Sequence, residues 1–152
     1  MIRIGWLLLL ALIGGAACRT PAQRREDFGN AVRMYNEGVR WQRWSHAAAY
    51  IPAAERPDFV DERADLEKEL RIDDFEVLRQ DLAVGGQRAT VRVRYTWHLD
   101  REGIVHETTA TQGWEQRGRR WYMVEERRAR GPEMPGVAEP VEVGEGPQDR
   151  VN

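Results

Sequence analysis

Ala89-Thr90-Val91-Arg92-Val93-Arg94-Tyr95-Thr96-Trp97-His98-Leu99 is the stretch that decides the fold. Val91, Val93, Tyr95, Trp97 and Leu99 alternate with Thr90, Arg92, Arg94, Thr96 and His98. Successive side chains on a strand point to opposite faces, so this period of two predicts a strand with one apolar and one polar side. Upstream, Ile72 to Val84 is a strand candidate joined to it by a turn at Gly85-Gly86. Downstream, Asp100 to Gly103 is a turn, Ile104 to Gln116 a third strand, Arg117-Gly118 a two-residue turn, and Arg120 to Arg128 a fourth strand. Connections this short between consecutive strands predict an antiparallel meander.

The two later hairpins can be checked against each other. A turn at Asp100 to Gly103 sets Leu99 opposite Ile104 and Trp97 opposite His106, and a turn at Arg117-Gly118 sets Trp114 opposite Trp121. Opposed residues share a face. One face therefore carries Val91, Val93, Tyr95, Trp97, Ile104, Ala110, Trp114, Trp121 and Met123, with His106, Thr108, Gln112 and Glu125 among them. The other carries Arg92, Arg94, Thr96, Glu107, Thr109, Thr111, Glu115 and Arg120. In the first strand Phe75 and Val77 want one face and Leu78 the other, which a bulge would reconcile.

Ahead of the strands the period is helical. Thr20-Pro21 is a start signal, a capping hydroxyl followed by a proline. Phe28, Ala31, Val32, Tyr35 and Val39 follow at helical spacing, with Gly38 as the predicted end or bend. Trp41 to Tyr50 reads as a second, shorter helix, and Phe59 to Leu70 as a third. The fold class is α+β, N-terminal helices packed on a four-stranded antiparallel meander over residues 21–130, a span that suits one core. Residues 131–152 are rich in Pro, Gly and Glu without aromatics or period, and are expected to form a disordered acidic tail.

Composition narrows the function classes. The 152 residues carry 23 basic and 25 acidic side chains, a balance that argues against nucleic-acid binding. Lys68 is the only lysine, Ser45 the only serine and Cys18 the only cysteine. A nucleophilic hydrolase needs an activated Ser, Cys or similar group, so candidates are few. Ser45 and His46 are neighbours on a predicted helix and point apart. With no cysteine pairs, no metal-ligand spacing and no phosphate-cradling glycine loop, the chain implies neither metal nor cofactor.

The leader Met1 to Ala17 has a positive start at Arg3, an apolar run from Ile4 to Ile13, and small residues at Gly14-Gly15-Ala16-Ala17. The run falls short of the ~20 residues a bilayer-spanning helix needs and has the form of a secretory signal. Ala16-Ala17-Cys18 resembles the lipobox of bacterial lipoproteins, although Gly15 stands where that family prefers leucine. The resemblance implies acylation of Cys18, with residues 18–20 as anchor and spacer and the bilayer as a partner. Arg19, in place of the aspartate that often signals inner-membrane retention, implies an outer-membrane lipoprotein facing the periplasm. A secreted protein and an inner-membrane lipoprotein are the alternatives.

Three helices before a curved antiparallel sheet resemble the nuclear transport factor 2-like superfamily, in which helices cover the concave face of a cone. The resemblance rests on Met34-Tyr35 through Trp44 with Ala47-Ala48, on Leu70 to Phe75, on Ala89 to Trp97, and on Gln112-Gly113-Trp114 with Arg120-Trp121-Tyr122. A cystatin-like or other helix-on-sheet fold is the alternative. The cone implies a pocket lined by Tyr95, Trp97, His106, Gln112, Trp114 and Trp121, and His106 and Glu125 are the candidates for acid–base work there. The paired Asp-His motif of the family's cyclase-like enzymes is not visible.

Three functions follow. The leading one is a membrane-anchored, non-enzymatic module that binds a ligand, a protein partner or a second copy through its cavity or its open sheet face. The second is a pocket enzyme, an isomerase, dehydratase or cyclase acting on a small apolar substrate. The third is an envelope scaffold using the acidic tail as an arm.

Overall fold

Thr20 opens helix α1 (Pro21–Arg40) with a reciprocal cap: its hydroxyl accepts from the Gln23 N–H, and the Gln23 side chain accepts from the Thr20 N–H. The computed structural model describes residues 20–140. The leader, Cys18, Arg19 and residues 141–152 lie outside the described residues.

Phe28, Ala31, Val32, Tyr35 and Val39 form the buried stripe of α1, as their spacing predicts, and Asn36 is buried with them. Gly38 does not end the helix. It lets α2 (Trp44–Ala48) pack against α1, because a Cβ there would meet the Ala47 backbone nitrogen at 2.9 Å and its Cα at 3.1 Å. The second helix is thus shorter than Trp41 to Tyr50. The third, α3, covers Arg56–Ala64, with Pro57 inside its first turn, and a 3₁₀ turn follows at Leu66–Lys68. It stops short of Leu70 because Leu70 pairs with Leu99 in the sheet.

Strands β1 (Leu70–Leu82), β2 (Arg88–Leu99), β3 (Val105–Arg117) and β4 (Arg120–Arg130) form one antiparallel sheet in the order β1-β2-β3-β4. Trp97 faces His106 as the first hairpin requires. The last turn is Gly118-Arg119, with Arg117 paired to Arg120, so Trp114 faces Met123 instead of Trp121. A slip of two residues leaves every side chain on its face.

The outer strands carry all four register shifts of the sheet. Asp73 and Leu78 are the extra residues of β1, and Val124 and Ala129 those of β4. An extra residue bends and twists its strand. Bulging both edges against the uninterrupted β2–β3 pairing curves the sheet around the helices. The Leu78 bulge also resolves the face conflict of β1, since Phe75 and Val77 pack on the core while Leu78 is exposed.

Residues 131–140, expected to belong to a disordered tail, are ordered, and residues 141–152 lie outside the described residues. Residues 131–140 lie across the open end of the fold, anchored by Met134, which is 2 % exposed. A single buried methionine in a Pro- and Gly-rich segment has no periodic signature, so composition alone reads the stretch as unfolded.

Candidate functional site

The sheet's inner face is mostly apolar, but at its centre four elements bring polar groups together. Asn36 comes from α1, Tyr95 from β2, Gln112 from β3 and Glu126 from β4, with Tyr35 of α1 alongside. Asn36, Tyr35, Tyr95 and Gln112 are fully buried. Tyr35 Oη donates to Glu126 Oε2 at 3.2 Å, and Gln112 Nε2 donates to Glu126 Oε1 at 2.8 Å and to Asn36 Oδ1 at 2.9 Å. Tyr95 Oη stands 2.6 Å from Asn36 Oδ1 and 2.8 Å from Glu126 Oε1, so its one proton serves one of two acceptors. Asn36 Nδ2 donates to the Val32 carbonyl at 2.8 Å, and Trp114 Nε1 to Gln112 Oε1 at 3.2 Å. Nearly every polar atom of the cluster is paired, as burial requires.

Both tyrosines are held as neutral phenols, their pKa values raised well above the ordinary 10.0, first by burial and then by the charge of Glu126. In the unfolded chain they ionise near pH ~10. Their stabilising contribution is therefore complete below that pH and is lost as pH rises through the window above it. Unfolding free energy is expected to fall by about 1.4 kcal/mol per pH unit for each tyrosine in that window. Alkaline unfolding followed by tyrosinate absorbance checks this, and Tyr35→Phe should remove about half of the slope. An unchanged slope in that variant would discard the account.

Glu126, not Glu125, is the inward carboxylate. The Val124 bulge shifts the rest of β4 by one residue, pairing Gly113 with Glu125 and Gln112 with Glu126. Glu125 consequently lies outside, exposed and paired with Arg127. A one-residue slip exchanges the two faces of a strand, and the sequence signal was Gly113, since glycine inside a strand often marks a bulge. His106 sits half-buried at the rim, stacked on Trp97 with ring centres 4.7 Å apart, so it does not converge with Glu125 on a common point. His98 lies on the outer face beside Asp73, its Nδ1 2.9 Å from the carboxylate. His46 is exposed on α2.

Of the expected pocket lining, Tyr95, Trp97, Gln112, Trp114 and Trp121 do meet on the inner face, but they pack as core, each at most 3 % exposed. Trp114 meets Phe28 and Tyr35 edge-on, and Trp121 lies 4.6 Å from the Phe28 ring centre. Beside Tyr95 and Glu126, a small void of about 10 Å³ reaches Met134. A larger cleft of about 500 Å³ opens to solvent between α3 and β4, lined by Phe59, Arg63, Met123, Glu126 and Val137 among others.

The outer sheet face is not covered by any described element. It is a field of Arg, Glu and Thr, including the pairs Arg94–Glu76 and Arg117–Glu115.

No protein-family model matches the chain, and no curated protein matches it either. Among solved structures, it is similar to the solution structure of a SEC-C motif containing protein from Rhodopseudomonas palustris. The TM-score is 0.56 at 16% identity, over 66% of this chain and 77% of that one. At that identity the likeness speaks to the fold alone.

Proposed function

We propose that the chain is a lipid-anchored interaction module of the cell envelope, tethered through acylated Cys18 to the outer membrane and facing the periplasm, which holds a protein partner on its surface. The packing of the inner face carries the surface reading. Trp97, Trp114 and Trp121 fill the inner face of the sheet, and the void there is about 10 Å³, against roughly 300–1,000 Å³ for small-molecule sites, which leaves the surface cleft and the outer face as the places for a partner. The cleft beside α3 and the uncovered outer face remain open to a macromolecule or a second copy.

The tether is supported by the leader and the small residues before Cys18. Helix α1 begins close behind that cysteine, which would set Arg24 and Arg25 near anionic head groups. The nuclear transport factor 2-like resemblance belongs to the same proposal, supported by helices on the concave side of a sheet bent at both edges.

Mass spectrometry of protein extracted from membranes tests the tether. Acyl chains on Cys18 are expected, and Cys18→Ser should move the protein to the soluble fraction. A free thiol on membrane-extracted protein, or a Cys18→Ser variant that stays in the membrane, would end the tethered reading.

A further inference from the structure

Residues 131–140 are bound to the domain in the way a captured peptide is bound. Their backbone pairs in parallel with the edge of β4, Arg127 with Ala138, and the Arg128 N–H donates to the Ala138 carbonyl at 2.7 Å. Adding a strand to a free sheet edge is a general mode of peptide recognition, with main-chain bonds for affinity and side-chain pockets for specificity. The apolar anchor here is Met134, which is buried in the core and shares the lining of a small void with Val39, Trp44, Leu70, Ile72 and Tyr95. Side chains of the domain read the remainder: Arg63 donates to the Gly136 carbonyl at 2.8 Å, Thr108 to the Pro132 carbonyl at 2.8 Å, and Arg128 pairs with Glu139.

The fit is specific at the backbone. Gly131 has φ +91°, and a Cβ there would stand 2.3 Å from the Glu107 carbonyl oxygen. Gly136 has φ +84°, and a Cβ there would stand 2.9 Å from Leu66 Cδ1. The lining of the same void also holds an unused donor, because the buried Trp44 Nε1 has no hydrogen-bond partner. The segment is held by Met134 in the core, one ladder bond, side-chain bonds from Arg63, Thr108 and Arg128 to its carbonyls, and an ion pair at the surface.

We infer that the edge of β4 together with the seat of Met134 is a peptide-binding site occupied in cis by residues 131–140, and that its partner in trans is an extended acidic peptide. That peptide would carry an unbranched apolar residue followed by Pro-Gly, and an acidic residue for Arg128. The inference rests on the interaction-module reading and names the partner class. A tethered segment competes at an effective concentration on the order of millimolar, so the site admits a partner only when the cis segment is displaced.

The test uses the full chain and a fluorescent synthetic peptide of residues 131–140, read by anisotropy. The unsubstituted chain should saturate only near millimolar peptide. Met134→Asp, which unseats the anchor, and Gly131→Val, which leaves the pocket side chains intact, should each bind about tenfold tighter or more. A peptide with Asp at the Met134 position should not bind. Variants that keep the native circular dichroism but bind no better than the unsubstituted chain would overturn the inference. So would the absence of binding by the unsubstituted chain at several millimolar. A dimer by light scattering that Met134→Asp abolishes would reassign the site to segment exchange between two copies. Acylation of Cys18 is read independently, so peptide failure leaves the tether standing.

Discussion

Trp114→Ala is expected to lower the unfolding free energy by about 3–5 kcal/mol, the range for truncating a large buried aromatic. Trp114 is 1 % exposed and lies where α1 meets the sheet, edge-on to both Phe28 and Tyr35. Its removal deletes the ring contacts of two residues on α1, Phe28 and Tyr35. It also takes a hydrogen bond from the polar cluster, since the indole N–H donates to Gln112. A domain of this size has roughly 5–15 kcal/mol in total, so the variant should be marginal. Urea denaturation measures the loss, and a change below about 1 kcal/mol would mean that the core is not organised around this ring.

The second large effect is Gln112→Leu, expected to cost about 2–4 kcal/mol although the two side chains are similar in size. Gln112 of β3 ties β4 and α1 together: Nε2 donates to Glu126 and Asn36, and Oε1 accepts from Trp114 of its own strand. Leucine would strand the buried Trp114 N–H and weaken the pairing of Asn36 with the sheet. Stranded buried polar groups cost about 1–3 kcal/mol each, so lost partners outweigh any gain in apolar contact. Asn36→Leu should be destabilising for the same reason. The double variant should cost less than the sum, by about 1 kcal/mol or more, because residues sharing a network couple. Strict additivity in that cycle would show that the cluster does not act as a unit.

Glu125 and Glu126 show where legibility stopped. The alternation of β2 is unbroken, and its inward residues Val91, Val93, Tyr95 and Trp97 are readable by counting. In β4 the doublets Glu125-Glu126 and Arg127-Arg128 offer no alternation to count, so an inserted residue leaves no trace in its own strand. Only Gly113 on the neighbouring strand hinted at it. The candidate site moved by one residue for that reason. Trp121 and Met123 precede the bulge and kept the face that the turn assigned them.

Gly38 failed differently. A helix-ending glycine and a glycine that admits a neighbouring helix are the same letter, and only the position of Ala47 separates them. Residues 131–140 are a third case, since one methionine finds its partners in elements distant in sequence.

The sequence by itself determined the fold class, the order of elements, the apolar stripe of α1 and the inward set of β2. Those follow from local periodicity, which each segment carries without reference to the others. Tertiary structure alone decided which carboxylate faces inward, that the inner face is filled, and that residues 131–140 dock. Each of these depends on register, or on contacts between segments far apart in the chain, and neither leaves a local pattern.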